Sequence, residues 1–252
     1  MKTQLIDHPG RIAAAAMVGL LLLSGVAVRA RDKAKALGPA EQAKLTAILT
    51  RFDETQASTR TLTAAFTERK EIAILKDPVV AKGRFFYTKP DDVLWQYTDP
   101  APRFFLISKD ELLSYFPLKH RAERVSIGLY HDRLLKVLAI GQPSKNLLKY
   151  YDIHLDETSN DIAGTHLLIL TPRKRMVKKR IAEVRLWVSK DSSLPVRMQY
   201  KEPDGDSTTI AFEDVRFNPQ IASSTYKIEI PKGVEIKKGF SGMTESKDKD
   251  QG

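Results

Sequence analysis

The sequence predicts a mainly β protein: one bent antiparallel sheet, apolar on its concave side, with helices lying across its mouth. Three observations predict it. Eleven short runs rich in aromatic and β-branched residues are set off by turn chemistry such as Lys89-Pro90-Asp91-Asp92, Lys109-Asp110 and Pro203-Asp204-Gly205-Asp206. Links are short and helical patterns few, so successive strands must pair antiparallel; parallel pairing needs crossovers of about a dozen residues. Finally, Phe85-Phe86-Tyr87 and Phe104-Phe105-Leu106-Ile107 are apolar on both sides of their strands. A second layer must cover the extra face, and the two amphipathic helices are the evident cover.

The bulk properties agree. At 252 residues, with 42% hydrophobic, 29% charged and only 13 Gly and 13 Pro, the chain can bury a substantial core and is not low-complexity. It has no cysteine, which excludes a disulfide scaffold, thiolate zinc sites, iron–sulfur clusters and Cys nucleophiles together.

Along the chain, Lys2 and Arg11 precede an apolar run over 12–23 that continues through Ser24-Gly25-Val26-Ala27-Val28 to Arg29-Ala30. Residues 1–30 read as a secretory signal peptide removed near Ala30, because the apolar run is short of the roughly 20 residues of a membrane span. An uncleaved anchor is the alternative. The mature protein is expected to begin near Arg31 and to reside in the periplasm. The leader carries Lys2, Arg11 and Arg29 against Asp7, so of the formal +10 about +8 remains. An exported protein rarely meets nucleic acid, and no RNA-reading motif concentrates the basic and aromatic residues. Anionic membrane surfaces or acidic proteins are the expected partners.

A single domain is expected over 31–238. Leu45, Ile48, Leu49 and Phe52 share one face of a helix between Pro39 and Gln56, and Leu134, Leu135 and Leu138 mark a shorter one over 129–140. Strands are predicted at 62–75, 79–88, 93–98, 103–108, 111–116, 151–156, 165–171, 181–189, 195–201, 207–215 and 226–230. Val196, Met198 and Tyr200 alternate with polar residues, as do Tyr226, Ile228 and Ile230, so those strands have one wet face. The polar residues 239–252 are predicted to be a disordered tail.

Catalytic signatures are missing. His8, His120, His131, His154 and His166 have no paired ligand spacing, no serine lies in a Gly-x-Ser-x-Gly turn, and no Gly-rich loop joins a strand to a helix. Asp91-Asp92 and Asp204/Asp206 sit in turns, where Asp bonds nearby backbone amides. No metal, cofactor or enzymatic activity is expected. The run Arg173-Lys174-Arg175-Met176-Val177-Lys178-Lys179-Arg180 is either a solvated hairpin loop or a docking finger for anionic headgroups. The aromatic excess in the early strands points to a protein that holds something greasy, the alternative being an ordinary core.

The segment Gly83-Arg84-Phe85-Phe86-Tyr87-Thr88-Lys89-Pro90-Asp91-Asp92-Val93-Leu94-Trp95-Gln96-Tyr97-Thr98-Asp99-Pro100 resembles the LolA family of periplasmic lipoprotein carriers, with its Trp five residues after the Pro. The resemblance continues through Leu106-Ile107-Ser108 and Leu112-Leu113-Ser114-Tyr115. It returns in Thr209-Ile210-Ala211-Phe212-Glu213-Asp214-Val215-Arg216-Phe217-Asn218 and Ile230-Pro231-Lys232-Gly233-Val234-Glu235. It implies an unclosed antiparallel β-barrel of about 11 strands with a helical lid. It also implies an apolar cavity for lipoprotein acyl chains, loading from an inner-membrane ABC transporter and delivery to an outer-membrane acceptor, by a monomer. Period-two geometry puts Phe85 and Tyr87 on one face and Val93, Trp95 and Tyr97 on the matching face of the next strand. With Phe66 they are the residues the resemblance assigns to the cavity. The family's Arg before the Pro, a lid clamp, is Lys89 here, and its Asp-Gly turn is Lys109-Asp110. Two other readings stay open: a carrier or sensor of another lipid, such as a glycolipid or pigment intermediate, and an enzyme acting on lipid.

Overall fold

The computed structural model describes residues 38–127 and 143–239. The expected signal peptide, the helix predicted over 129–140 and positions 240–252 of the polar tail lie outside the described residues.

Helix α1 (Pro39–Ser58) opens with Pro39 in its first turn, where a missing N–H costs nothing. It buries Leu45, Ile48, Leu49 and Phe52, the four residues their spacing predicts. Its last turn closes at Thr59, whose amide (3.0 Å) and hydroxyl (2.7 Å) both donate to the Thr55 carbonyl. Strands β1 (Thr61–Glu71), β2 (Val79–Thr88), β3 (Asp92–Asp99), β4 (Arg103–Ser108), β5 (Glu111–Phe116) and β6 (Arg121–Ser126) follow. Helix α2 (Ser144–Tyr150) leads into β7 (Tyr151–Leu155) and β8 (Thr165–Pro172). The one-turn helix α3 (Arg175–Lys178) precedes β9 (Glu183–Ser189), β10 (Pro195–Lys201), β11 (Ser207–Phe217) and β12 (Glu235–Lys238).

Among the described residues twelve strands form one sheet in the order β12-β6-β5-β4-β3-β2-β1-β11-β10-β9-β8-β7. Two antiparallel meanders, β1–β6 and β7–β11, are zipped together by β1 against β11. The result is an open half-barrel with a helical lid. Inside it, one apolar cluster spans β1–β5 and another spans β7–β10, where Leu45, Ile48 and Leu49 of α1 pack over Tyr151, Leu168, Leu186 and Tyr200.

Four expectations are corrected. Residues 226–230 are not a strand: a 3-10 turn (Ser223–Tyr226) leads into extended chain that runs to β12. The alternation of Tyr226, Ile228 and Ile230 is real, but these side chains pack onto the outer face, against Leu94, Leu106, Leu113 and Tyr115. Among the described residues it is this segment that covers the second apolar face of the early strands. β6 and β12 were not foreseen, because Arg121-Ala122-Glu123-Arg124 and Glu235-Ile236-Lys237-Lys238 are too polar to signal strands, and they pair parallel, against the all-antiparallel expectation. The strand predicted over 62–75 stops at Glu71, and residues from Ile72 turn toward β2.

Candidate functional site

The inner face of β1–β4 is an aromatic surface built by strand register. Tyr87 lies opposite Val93, which lies opposite Ile107; one rung away, Phe85 lies opposite Trp95 and Trp95 opposite Phe105. Gly83 faces Tyr97 on one side and Phe66 on the other. The glycine is required, since a Cβ there would come within 2.6 Å of Phe66 Cζ and also strike the Gln96 carbonyl. The Phe66 ring therefore lies down over Gly83 and meets Trp95 and Tyr97 edge-on, each at 5.0 Å between centroids. Phe85 tilts against Trp95 at 4.7 Å.

All six residues that the sequence nominated for the cavity, Phe66, Phe85, Tyr87, Val93, Trp95 and Tyr97, fall in this single buried cluster. Sequence reasoning missed Phe105, whose strand is apolar on both faces, and Phe212, which lies 5.9 Å from both Phe85 and Trp95. The β1–β11 pairing that brings Phe212 here spans most of the chain, although the period-two spacing of Ile210 and Phe212 carried a signal. Within the cluster, the Tyr87 hydroxyl and Trp95 indole N–H are buried with no hydrogen-bond partner among the described residues. Burial, with Asp91 and Tyr226 nearby, pushes the Tyr87 phenol up to about 12, so it stays a neutral donor.

Lys89, just past the end of β2, reaches the C-terminus of α1. Its Nζ donates to the carbonyls of Gln56 (2.7 Å) and Ala57 (2.8 Å), and its backbone N–H donates to the Arg60 carbonyl (2.8 Å). The last carbonyls of a helix lack intrahelical donors and carry the negative end of its dipole, so a cation is favoured there. Two further ties hold α1. Asp53 accepts from the backbone N–H (2.5 Å) and hydroxyl (2.8 Å) of Ser144 at the start of α2, and Lys44 pairs with Glu157. Neither was visible in sequence.

The basic run does not join this site. Arg175–Lys178 makes the single turn of α3, with Val177 buried beneath it. Arg173, Lys174, Arg175, Lys178, Lys179 and Arg180 are exposed, and Arg173 pairs with Asp152 at 2.7 Å. Among the described residues no acidic or histidine group of metal-binding form occurs, and no helix is long and apolar enough to cross a membrane.

An open half-barrel with an aromatic inner face and a helix tied down over its mouth defines a class of protein that encloses apolar groups. The profile described as outer membrane lipoprotein carrier protein LolA matches residues 57–229, and the chain belongs to that family, one of carriers rather than enzymes. It is 23% identical over 177 residues to the outer-membrane lipoprotein carrier protein of Cupriavidus taiwanensis, covering 69% of this chain and 79% of that protein. Among solved structures it is similar in fold to an uncharacterized conserved protein of Thermus thermophilus, with a TM-score of 0.51 at 12% identity, covering 78% of this chain and 99% of that one. A LolA superfamily protein of Nitrosomonas europaea aligns at 14% identity and a TM-score of 0.38, over 72% of this chain and 96% of that one.

Proposed function

We propose that this protein is a periplasmic carrier that shields lipoprotein acyl chains within the aromatic half-barrel and ferries them from the inner to the outer membrane. The observation that carries the reading is the pairing of Lys89 with the Gln56 and Ala57 carbonyls beside a continuous aromatic wall. A wall of that kind suits hydrocarbon, and a lid helix held by a few polar ties, Lys89 to the Gln56 and Ala57 carbonyls, Asp53 to Ser144 and Lys44 to Glu157, gives a closure that cargo can open. Leaving an acyl chain of about 14 methylenes in water costs roughly 11 kcal/mol at ~0.8 per methylene, so transit across an aqueous gap needs such a shield. The Tyr87 hydroxyl and Trp95 N–H, without a partner among the described residues, support the reading further, as donors suited to the ester or amide carbonyl at the head of an acyl chain.

In this reading residues 1–30 direct export, an inner-membrane ABC transporter of the Lol type loads the carrier, and an outer-membrane acceptor empties it. The exposed cations at 173–180 serve as a docking surface for anionic headgroups, each contributing about 1 kcal/mol near a charged surface. Native mass spectrometry of protein purified from its own periplasm, followed by extraction of the bound lipid, tests the proposal. Recovery of acylated lipoprotein is expected. Recovery of a glycolipid or pigment intermediate in its place would overturn the cargo assignment.

A further inference from the structure

The aromatic interior stops abruptly at a charged row. From the Lys89 end inward, Tyr87 lies opposite Leu62, Phe85 opposite Ala64 and Gly83 opposite Phe66; the next inward rungs pair Ala81 with Glu68 and Val79 with Lys70. On the other side of β1, Lys70 faces Thr208, and Thr208 faces Tyr200 of β10. Glu68 and Lys70 are each only 5% exposed. Glu68 Oε2 accepts from the Tyr97 hydroxyl at 2.6 Å, and the Arg103 guanidinium stacks 4.0 Å over the Tyr97 ring. Lys70 Nζ is buried with no hydrogen-bond partner among the described residues. Burial pushes the Glu68 carboxyl up, opposed by Tyr97, Arg103 and Lys70; it pushes the Lys70 ammonium down, opposed by Glu202, Asp206, Glu68 and Asp204.

Charged side chains facing into a half-barrel are costly for folding, and an apolar pair at these two positions would extend the greasy wall by two rungs. We propose that Glu68 and Lys70, flanked by Tyr97, Tyr200 and Thr208, form a polar floor that ends the apolar interior and sets the longest acyl chain the protein accepts. The inference rests on the interior being the acyl site. The apolar depth from Tyr87 to Gly83 is four residues, about 13 Å at ~3.3 Å per residue. While a chain lies against that wall, each added methylene strengthens binding about fourfold. A methylene pressed against the Lys70 ammonium gains nothing and holds polar groups away from water, so affinity stops rising.

The test measures dissociation constants of octanoyl, lauroyl, palmitoyl and arachidoyl fluorescent probes for the mature protein and for a Glu68→Leu/Lys70→Met double variant, which removes both charges so that neither is stranded. The wild-type affinity is expected to climb and then level off before the longest probe. In the double variant it continues to climb, so that arachidoyl binds at least about tenfold tighter than to wild type. Wild-type affinity that rises steadily through arachidoyl, or identical profiles in the two proteins, overturns the floor. If circular dichroism shows the double variant unfolded, the wild-type profile decides alone. Absence of binding at every length overturns the acyl-site reading itself, and the floor with it, whereas binding without a plateau overturns only the floor.

Discussion

Lys89 Nζ donates a 2.7 Å hydrogen bond to the carbonyl of Gln56, joining the end of β2 to the last turn of the lid helix across 33 residues of chain. A second bond to Ala57 at 2.8 Å makes the contact a two-point tie. The tie stabilises the closed form, so any cargo that opens the lid does so against it.

Replacing Lys89 should therefore strengthen cargo retention. A charged hydrogen bond contributes about 1.5–3 kcal/mol, so Lys89→Leu is expected to slow release of an acyl probe to acceptor liposomes by about tenfold or more. Lys89→Arg, which keeps a donor at the carbonyls, should release at the wild-type rate or faster. Equal rates in the three proteins would remove the clamp role.

Trp95 sits at the centre of the aromatic wall, edge-on to Phe66 and tilted against Phe85. Trp95→Glu places a carboxylate where hydrocarbon is proposed to bind and should abolish acyl-probe binding while circular dichroism still reports a β-sheet. Unchanged affinity in a folded variant would move the binding surface elsewhere.

Gly83→Ala tests the packing beneath that wall. The new methyl meets both the Phe66 ring and the Gln96 backbone, and backbone cannot swing aside, so a loss of about 1–3 kcal/mol is expected. Thermal or urea unfolding measures it, and a neutral Gly83→Ala would contradict the close approach.

The floor has a pH signature. Burial raises the Glu68 carboxyl above its usual 4.5, so the folded state holds this proton more tightly than the unfolded chain. Stability is accordingly lost as pH rises from about 4.5 through the raised folded value, and little is lost below it. Glu68→Gln keeps an acceptor for Tyr97 without the titration. Its melting temperature should match wild type near pH 4 and exceed it at neutral pH, as followed by thermal melts across that range.

The basic turn makes a separate claim about surfaces. Reversing three charges, Lys174→Glu, Arg175→Glu and Lys178→Glu, should cut co-sedimentation with phosphatidylglycerol vesicles about tenfold or more and leave the weak binding to neutral vesicles unchanged. Added salt should reduce wild-type binding toward the variant's level. Salt-independent binding would exclude an electrostatic role for this turn.

Local chemistry determined much of this protein. Period-two alternation, turn residues and the helical spacing of Leu45, Ile48, Leu49 and Phe52 located most strands and the lid helix, because burial of one face writes its period directly into the sequence. The same logic put Phe85 and Tyr87 on one face with Val93, Trp95 and Tyr97 opposite, since a hairpin fixes register over a few residues. Tertiary structure alone decided what depends on distant partners. Phe212 enters the aromatic wall through the pairing of β1 with β11, and Tyr226, Ile228 and Ile230 cover the outer face instead of joining the sheet. The polar strands β6 and β12 form because a neighbour supplies their hydrogen bonds, which no apolar pattern announces. Glu68 and Lys70 continue the Leu62, Ala64, Phe66 row of β1, and nothing local marks them out. Only the curl of the sheet and the strands on either side bury the two charges, and low dielectric there gives them their consequence.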